Sequence, residues 1–576
     1  MKKLLLGNEA VARGAWEAGV NVVSSYPGTP STEITENIAK YDEVFCERAP
    51  NEKVATEVAI GAAVAGARSM CCMKHVGVNV AADPLFTVAY TGVNGGFVLV
   101  VADDPGMHSS QNEQDSRHYA KASKIMMLEP SNSAECYEYT RMAFELSEKF
   151  DTPVIIRLTT RVAHSSSIVE VKPADAPVLK EYTKNPQKYV MMPAMAKVRH
   201  VFVEERTLKE TDWAETSGIN TVEWNDKKIG VIAAGVTYQY AKEALGDKAS
   251  YLKLGCVYPL PIKLIEDFAK EVDTLYVLEQ LDPFIEEHCK ALGVNVRGKE
   301  DFTLLGEYSQ SLIAKVILGE EKENLETNLE IPNRPPVLCA GCPHRGLFNA
   351  LKGIDVFVSG DIGCYTLGAL PPIQMLDTCV CMGASVSALH GRNMARPEEA
   401  KKSVAVIGDS TFIHSGITGL INIAYNQSNS KVIVLDNSIT GMTGHQQNPT
   451  TGKRINGDPT TAVDLEALAK AVGIERVLVV DPYDIPGTKE KIAAELEVEA
   501  PSLIISRRPC ALLKNVKHNP PLHVDADKCT GCKACLKIGC PAISIKDKKS
   551  VIDFTQCVGC GMCKPYCKFD AIKEGE

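Results

Sequence analysis

Eight of the twenty cysteines of this chain lie in one short stretch, between Cys529 and Cys567. They form two similar runs about 28 residues apart: Cys529, Cys532, Cys535 and Cys540, then Cys557, Cys560, Cys563 and Cys567. A segment this short cannot bury a large hydrophobic core, so its fold depends on ligands held by the thiols. The repeat predicts a small duplicated domain over residues 520–576.

The spacing of these cysteines indicates two 4Fe–4S clusters. Bacterial two-cluster ferredoxins have the same two-residue gaps, and the fourth cysteine of each run ligates the other cluster. The two predicted ligand sets are Cys529, Cys532, Cys535 and Cys567, and Cys557, Cys560, Cys563 and Cys540. One extra residue before Cys540 and Lys568 after Cys567 depart from the usual run. Two structural zinc sites are the alternative, because four thiolates also suit tetrahedral zinc.

Apolar runs alternate with helical stretches along most of the remaining chain. This alternation predicts an α/β fold with three parallel-sheet domains, followed by the small α+β tail. The predicted boundaries are 1–165 for the first α/β domain, 166–222 for a connector, 223–320 for a smaller α/β domain, 330–515 for the third α/β domain and 520–576 for the tail. The acidic stretch GEEKENLETNLE predicts a linker before the third domain.

Charge and hydrophobicity narrow the functional class. The 576 residues carry a formal net charge of −10, which disfavours nucleic-acid binding because such proteins need a basic surface. No stretch approaches the ~18 apolar residues of a membrane span. Asn8 and Glu9 interrupt the apolar start before it resembles a signal peptide. We therefore expect a cytoplasmic protein whose cysteines serve as metal ligands rather than as disulfides.

The third α/β domain carries a second motif at the ends of two apolar strands. Gly408-Asp409-Ser410 ends one strand and Asp436-Asn437 ends the next, a pattern typical of thiamine diphosphate sites. Mg²⁺ prefers oxygen ligands, and the candidates are Asp409, the amide of Asn437 and the carbonyl of Ile439. The other predicted cofactor-binding residues are Asp361, Gly363, Gly383, Ser385, Gly408, Ser410, Thr440 and Gly441. Two ordinary strand-end turns are the alternative.

Thiamine chemistry also requires a buried glutamate that protonates the pyrimidine ring and normally comes from a different α/β domain. In the first domain, Glu52 lies nine residues before Gly61 in a helix of small residues. This spacing is typical of thiamine-dependent enzymes. Glu57 on the same helix is the competing candidate, and either glutamate could instead be a solvated residue near a helix start.

Together these motifs resemble the 2-oxoacid:ferredoxin oxidoreductases over nearly the whole chain. The likeness rests on YPGTPSTE, NEKVATEVAIGAAVAGAR, CAGCPHR, GDST, TGMTG and the terminal cysteine runs. The resemblance implies a pyrimidine-binding domain at 1–165, a transketolase C-terminal-like domain at 223–320 and a thiamine diphosphate and Mg²⁺ domain at 330–515. It further implies oxidative decarboxylation of a 2-oxoacid, here an arylpyruvate such as indolepyruvate, with coenzyme A as acyl acceptor and ferredoxin as electron acceptor. A smaller beta subunit in a heterotetramer of two alpha and two beta chains is also implied.

The resemblance assigns roles to further residues. Thr29 in YPGTP matches a threonine that contacts the substrate, and Arg117 in QDSRHYA is the candidate for the arginine that binds its carboxylate. Cys339, Cys342, Cys364 and Cys510 match positions at which relatives hold a third 4Fe–4S cluster. Buried, unreactive cysteines are the alternative for this last group.

Two other functions compete with this interpretation. A non-oxidative thiamine-dependent decarboxylase or carboligase would use the tail only as structure, and the ferredoxin-type spacing argues against it. An electron-transfer subunit that keeps the thiamine fold as a scaffold would not need Glu52, Asp409 and Asn437 together. No GxGxxG fingerprint follows a strand, so NAD and FAD are not indicated.

Overall fold

The computed structural model of the chain describes residues 1–177, 179–321 and 328–575. The chain divides into two compact units, Met1–Asn328 and Leu329–Glu576. Residues 322–327, in the middle of the acidic stretch predicted as a linker, lie outside the described residues. Among the described helices, none combines the length and apolar character that a bilayer crossing requires.

The first unit contains thirteen described strands and thirteen described α-helices. The strands are β1 (Lys2–Leu6), β2 (Val22–Ser25), β3 (Phe45–Arg48), β4 (Ser69–Lys74), β5 (Phe97–Asp103), β6 (Met127–Leu128), β7 (Val154–Thr159), β8 (Ser166–Glu170), β9 (Thr221–Glu223), β10 (Ile229–Ala234), β11 (Ser250–Leu254), β12 (Cys256–Tyr258) and β13 (Thr274–Leu278). The helices are α1 (Gly7–Glu17), α2 (Thr32–Ile38), α3 (Glu52–Val64), α4 (His75–Thr91), α5 (Arg117–Ser123), α6 (Ser133–Phe150), α7 (Thr160–His164), α8 (Pro186–Tyr189), α9 (Pro193–Thr216), α10 (Gly235–Leu245), α11 (Ile262–Lys270), α12 (Phe284–Ala291) and α13 (Gln310–Ile313).

A seven-stranded sheet forms the centre of the first unit, in the order β12-β6-β7-β5-β4-β2-β3. All neighbouring strands pair in parallel except β12 with β6. Every residue of β5 is buried, as expected for a parallel strand that is covered on both faces. Val98 and Val100 pack into one hydrophobic layer, whereas Leu99 and Val101 pack into the other.

The smaller α/β domain contributes one strand to this sheet. Its own sheet has the order β13-β10-β11-β9, and β9 is an antiparallel edge strand beside β11. The next strand, β12, leaves this sheet and pairs with β6 of the larger one. The segment predicted as a connector is also more regular than expected, because it contains β8, α8 and the 24-residue helix α9.

The second unit contains ten strands and six α-helices among its described residues. The strands are β14 (Phe357–Gly360), β15 (Thr378–Cys379), β16 (Ser403–Gly408), β17 (Lys431–Asp436), β18 (Arg476–Val480), β19 (Ser502–Arg507), β20 (Leu522–Val524), β21 (Ile543–Lys546), β22 (Lys549–Ile552) and β23 (Ile572–Glu574). The helices are α14 (Pro343–Leu351), α15 (Ala384–Ala395), α16 (Asp409–Thr411), α17 (Ile417–Tyr425), α18 (Leu465–Ala471) and α19 (Ile485–Leu496).

A six-stranded, wholly parallel sheet in the order β15-β14-β16-β17-β19-β18 forms the α/β part of this unit. The cysteine-rich tail adds two small antiparallel pairs, β20 with β23 and β21 with β22. The predicted fold class, three α/β domains followed by a small α+β ferredoxin-type tail, is therefore confirmed. Within the three α/β sheets, only the described edge strands β9 and β12 depart from the parallel pattern, and β1 and β8 form a separate antiparallel pair in the first unit.

Candidate active site

The carboxyl ends of β16 and β17 bring the predicted Mg²⁺ ligands to one edge of the six-stranded sheet. These strands are parallel neighbours, with Gly408 opposite Leu435, so Asp409 and Asn437 follow adjacent strand ends. Ile439, whose carbonyl is the third candidate ligand, is buried two residues further along the turn. Ligands commonly bind at this edge of an open α/β sheet.

Asp409 is a buried carboxylate without a cationic partner among the described residues of the second unit. Its Oδ1 accepts a hydrogen bond from the Ser410 amide at 2.7 Å, and its Oδ2 accepts one from the Thr450 hydroxyl at 3.2 Å. Burial raises the pKa of Asp409 to about 7, and the nearby Asp436 carboxylate adds to the rise. A divalent cation would remove this electrostatic cost.

Two residues that sequence analysis missed connect this acid to the following loop. The Thr450 hydroxyl also donates to Asn448 Oδ1 at 2.7 Å, and Asn448 Nδ2 donates to the Thr440 hydroxyl at 3.3 Å. This chain of polar side chains links Asp409 to the predicted phosphate loop. The signal in the sequence was the polar run QQNPTT, which follows TGMTG after one residue, His445.

Asn437 holds the turn that follows β17. Its Oδ1 accepts a hydrogen bond from the Ile439 amide at 3.3 Å, and its Nδ2 lies 3.3 Å from Nε2 of His344. Burial lowers the pKa of His344 to about 4, so this imidazole is neutral near pH 7. His344, from the CAGCPHR motif, is therefore part of the site, although its role was not predicted.

Asp361 connects its own predicted cofactor loop to the loop that contains Gly383 and Ser385. Its carboxylate accepts hydrogen bonds from the amides of Gly383 and Ser385, at 2.8 and 2.9 Å. It is fully buried and lies at the start of helix α15. Asp361 thus positions the loop that begins α15, and its predicted contact with the cofactor stays a prediction.

Several glycines at this edge have no room for a side chain. The Tyr365 ring lies where a Cβ on Gly363 or Gly408 would stand, 2.3 and 2.7 Å from the nearest ring atom. A Cβ on Gly441 would lie 3.3 Å from the Cys364 sulfur. The predicted glycines therefore allow the loops to pack closely, and the TGMTG loop touches one of the predicted cluster cysteines.

In the first unit, burial distinguishes the two candidate glutamates of α3. Glu52 is 5 % exposed, and its carboxylate packs against Gly77 in the first turn of α4, where an added Cβ would lie 2.7 Å from Oε1. Glu57 lies on the exposed face of the same helix and forms an ion pair with Lys53. A catalytic acid must be shielded from water, so this geometry favours Glu52 over Glu57.

Arg117 does not have the free guanidinium that was expected of a substrate-binding residue. It is 1 % exposed and forms ion pairs with Asp115 and Glu279, at 2.5 Å in each case. It also donates to the carbonyls of Gln280 and Asp282 at 3.1 Å. Because Glu279 belongs to the smaller α/β domain, Arg117 joins the two domains of the unit rather than facing a ligand.

Thr29 is half-buried in the loop that follows β2. Its carbonyl accepts a hydrogen bond from the Ser109 hydroxyl at 3.5 Å, so the loops after β2 and β5 lie side by side. The predicted substrate contact is thus at the carboxyl edge of the seven-stranded sheet, as the strand order requires.

The eight cysteines of the tail line two separate cavities. The first, here called the outer cavity, is lined by Cys529, Cys532, Cys535 and Cys567. The second, the inner cavity, is lined by Cys540, Cys557, Cys560 and Cys563 and by Gly341 and Arg345 of the α/β domain. Backbone amides point at the sulfurs: Ser550 at Cys529 (3.4 Å), Ala571 at Cys567 (3.3 Å) and Leu522 at Cys557 (3.3 Å).

Another four cysteines come together in the α/β part of the second unit. Burial raises the pKa of Cys342 to about 12, and the neighbouring thiols of Cys364 and Cys339 add to the rise. Burial likewise raises the pKa of Cys364 to about 11, with contributions from Cys510 and Cys339. These mutual effects place the four predicted thiols in one neighbourhood. Cys379 and Cys381 instead interact with each other and with Asp361.

A buried arginine fastens the tail to the α/β domain. The Arg345 guanidinium donates to the carbonyls of Leu338 and Cys339 on one side and to those of Ile538 and Gly539 in the tail on the other. The Tyr566 hydroxyl of the tail also donates to Asn349 Oδ1 at 2.6 Å. The loop that carries Cys339 and the loop that carries Cys540 are thereby held together.

Three family models match separate parts of the chain. Residues 13–232 match the thiamine-diphosphate-binding domain of pyruvate flavodoxin/ferredoxin oxidoreductases. Residues 361–506 match the C-terminal thiamine-pyrophosphate-binding domain of thiamine pyrophosphate enzymes, and residues 550–573 match a 4Fe–4S binding domain. These matches include the segments that carry Glu52, Asp409 and the second cysteine run.

Full-length relatives extend this result. Indolepyruvate oxidoreductase subunit IorA of Archaeoglobus fulgidus is 41% identical, with 99% of this chain and 97% of that protein covered. The protein of the same name from Pyrococcus abyssi is 42% identical, with 100% and 97% covered. The 2-oxoglutarate synthase subunit KorA of Archaeoglobus fulgidus is 26% identical over 48% of this chain. The chain therefore belongs to the family of indolepyruvate oxidoreductase subunit IorA, within the thiamine-diphosphate-dependent 2-oxoacid:ferredoxin oxidoreductases that transfer electrons through iron–sulfur clusters.

Proposed function

We propose that this chain oxidises an arylpyruvate, indolepyruvate among them, to the corresponding arylacetyl-CoA. One 2-oxoacid, one coenzyme A and two oxidised ferredoxins give one acyl-CoA, one CO₂, one proton and two singly reduced ferredoxins. The names and identities of the full-length relatives carry the choice of substrate. A thiamine-type site and two cysteine-lined cavities in one chain support the redox reaction.

The residues at the edge of the six-stranded sheet fit a Mg²⁺ ion and a diphosphate. A buried carboxylate without a cationic partner in its own unit, Asp409, would gain a counter-charge, and Asn437 and Ile439 would supply neutral oxygen ligands. The glycines at 363, 408, 383 and 441 keep the surrounding loops free of side chains. Ser410, Ser385 and Thr440 lie in the same loops and complete the proposed binding set.

When bound, thiamine diphosphate supplies the nucleophilic carbon and the electron sink that decarboxylation of a 2-oxoacid requires. Glu52 is the proposed proton carrier for the pyrimidine ring, since its carboxylate is shielded from water. Thr29 is the proposed hydrogen-bond donor to the substrate. Arg117 is left out of the catalytic set, because Asp115, Glu279 and two carbonyls already occupy its guanidinium.

We infer that each cysteine-lined cavity of the tail holds a 4Fe–4S cluster. The outer cavity would use Cys529, Cys532, Cys535 and Cys567, and the inner cavity would use Cys540, Cys557, Cys560 and Cys563. Amide donors to the sulfurs would stabilise the thiolate ligands of a cluster. The three evenly spaced cysteines of each run favour iron–sulfur clusters over zinc. A third cluster on Cys339, Cys342, Cys364 and Cys510 would lie beside the TGMTG loop.

A partner chain completes the proposed enzyme. The relatives are named as one subunit of an oxidoreductase, which supports a smaller beta subunit for this chain in an assembly of two alpha and two beta chains. We assign the coenzyme A contacts to that subunit or to its interface with this one, and ferredoxin is the proposed electron acceptor.

The test is metal, cofactor and activity analysis of the two-subunit enzyme purified without oxygen. About twelve irons per alpha chain would support three clusters, and about eight would return Cys339, Cys342, Cys364 and Cys510 to a structural role. Ferredoxin reduction should require both coenzyme A and a 2-oxoacid, with indolepyruvate and phenylpyruvate better than pyruvate or 2-oxoglutarate. Zinc in place of iron, or aldehyde release without ferredoxin reduction, would overturn the redox proposal and leave a non-oxidative decarboxylase.

A further inference from the structure

Lys74 stands at the centre of the ligand-binding edge of the first unit. It is the last residue of β4, an interior strand between β2 and β5. The loop after β2 contains Thr29, and a Cβ on Gly28 in that loop would lie 3.0 Å from the Lys74 Cβ. The loop after β5 contains Ser109. Lys74 therefore lies between the two loops that border the predicted substrate contact.

The Lys74 ammonium is buried, but no carboxylate pairs with it. The residue is 7 % exposed, and its Nζ donates a hydrogen bond to the Ser109 carbonyl at 2.5 Å. No carboxylate of the described residues of the first unit lies within ion-pairing distance. Burial lowers the pKa of Lys74 to about 8, although the more distant Asp104 opposes this shift. Keeping a buried ammonium group charged costs free energy unless an anion binds beside it.

Asp104, the acid whose charge acts on Lys74, already accepts hydrogen bonds at both of its oxygens. One of its oxygens accepts from the Ser109 amide at 2.9 Å and the Ser110 hydroxyl at 2.5 Å. The other accepts from the Thr160 hydroxyl at 2.7 Å. Asp104 therefore shapes the loop after β5 and leaves the Lys74 ammonium available for a ligand.

The neighbouring His75 adds a buried ring nitrogen that has no hydrogen-bond partner among the described residues. Its Nε2 lies 3.2 Å from the Ser110 hydroxyl, whereas its Nδ1 is buried without a hydrogen-bond partner among the described residues. Buried polar atoms are rarely left unpaired in proteins. Because the Ser110 hydroxyl donates to Asp104, Nε2 carries the imidazole proton and Nδ1 is an acceptor, which would pair with a donor group of a ligand rather than with its carboxylate. Burial lowers the pKa of His75, which keeps the imidazole neutral near pH 7.

This site is also next to the proposed acid. The Glu52 carboxylate packs against Gly77, three residues after Lys74 in the first turn of α4. We propose that Lys74 binds the carboxylate of the 2-oxoacid substrate, the task that sequence analysis gave to Arg117. A single ammonium matches a monoanion of this kind. The inference rests on the proposed function, because it takes a 2-oxoacid as the ligand.

Binding of a substrate analogue that cannot be decarboxylated tests the proposal directly. Indole-3-lactate keeps the carboxylate, and tryptophol has the same ring without a carboxylate. Isothermal titration of the two-subunit enzyme loaded with thiamine diphosphate would compare the unaltered protein with Lys74→Met and Lys74→Gln. Loss of a charge-assisted hydrogen bond should weaken indole-3-lactate roughly 10- to 100-fold and leave tryptophol within about twofold.

Two further variants complete the design. Lys74→Arg keeps the charge and should bind indole-3-lactate at least tenfold more tightly than Lys74→Met. Lys253→Met removes another buried lysine of the same unit, one that is paired with Glu135, and should leave both affinities unchanged. Thermal melting and thiamine diphosphate content identify any variant that has misfolded, and Lys74→Gln replaces Lys74→Met if the latter melts early.

The outcomes separate this inference from the proposed function. Equal affinity of Lys74→Met and the unaltered enzyme for indole-3-lactate would overturn the inference, as would equal weakening of indole-3-lactate and tryptophol. If the unaltered enzyme oxidises a 2-oxoacid and Lys74→Met has the same KM for that 2-oxoacid, the role proposed for Lys74 is wrong and the proposed function stands. If the unaltered enzyme reduces ferredoxin with none of the tested 2-oxoacids, the proposed function itself fails.

Discussion

The carboxyl edges of the two large sheets carry buried charges of opposite sign. In the first unit, Lys74 ends β4 without a carboxylate partner among the residues that the structure describes there, and burial lowers its pKa to about 8. In the second unit, Asp409 follows β16 without a cationic partner in the described part of that unit, and burial raises its pKa to about 7. Both residues lie at the carboxyl end of a strand in a largely parallel sheet, and burial disfavours the charged form of each. One charged form is a cation and the other is an anion.

The difference shows how one fold can be prepared for different ligands. A buried ammonium fits a carboxylate, whereas a buried carboxylate fits a divalent cation. In each case the loops after the strands supply the neutral hydrogen bonds and a single residue at the strand end supplies the charge. Variants at each edge should therefore affect different ligands.

Replacement of Glu52 by glutamine should have the largest effect on turnover. We expect kcat to fall roughly 100- to 10,000-fold, because the first edge would lose its proton carrier while the second edge keeps the cofactor. Steady-state kinetics and thiamine diphosphate content measure the two separately. Glu57→Gln, on the exposed face of the same helix, is the matched control and should have nearly normal kcat. Equal losses in both variants would contradict the assignment.

Asp409→Asn should act on cofactor binding rather than on substrate binding. We expect the Mg²⁺-dependent affinity for thiamine diphosphate to fall by about 100-fold, since a metal ligand would lose its charge. Titration of the cofactor-depleted protein at fixed Mg²⁺ measures the change. Asp458→Asn, at an exposed position of the same unit, should leave the affinity as it is. Normal affinity in Asp409→Asn would remove Asp409 from the cation site.

A rise in pH should weaken carboxylate binding at the carboxyl edge of the seven-stranded sheet. Lys74 is charged below a pKa of about 8 and loses its charge as the pH rises, with Asp103, Asp104 and His75 as the nearby titratable groups and Glu52 against Gly77 on the next helix. Between pH 7 and pH 9 the charged fraction falls about tenfold, so indole-3-lactate binding should weaken about tenfold. Lys74→Arg should remove this dependence over the same range. A flat profile in the unaltered enzyme would count against a Lys74 contact.

Thr29→Val should have the smallest effect of these changes. Loss of one neutral hydrogen bond to the substrate should raise KM by about threefold to tenfold, less than loss of the Lys74 charge. Thr29→Ser keeps the hydroxyl and should restore KM. A larger loss in Thr29→Val than in Lys74→Met would reverse the proposed ranking of the two contacts.

Spacing along the chain predicted the parts of the site that depend on local sequence. Asp409 and Asn437 follow neighbouring strands, so their proximity comes from the parallel sheet itself. The tail cysteines occupy two cavities in the grouping that ferredoxin spacing indicates, although the cavities alone do not identify the metal.

The sequence alone could not predict contacts between segments that lie far apart in the chain. Arg117 and Glu279 form an ion pair although they lie 162 residues apart in the chain. No local sequence pattern indicates that Glu279 will neutralise the Arg117 guanidinium. A lysine at a strand end usually looks like a solvated residue, so Lys74 gave no signal until its burial and its missing partner were seen. The pairing of β12 with β6 likewise depends on how two domains pack.

The attachment of the tail has a consequence for kinetics. Arg345 beside the inner cavity and Tyr566 beside the outer cavity tie the tail to the α/β domain through hydrogen bonds that are buried or partly buried. The tail is therefore attached to the α/β domain rather than held by a flexible tether. An electron that leaves the α/β domain for the tail would tunnel across a fixed gap. Its rate should then depend on driving force and distance and be indifferent to solvent viscosity, whereas only the encounter with a diffusing acceptor would slow in a viscous medium.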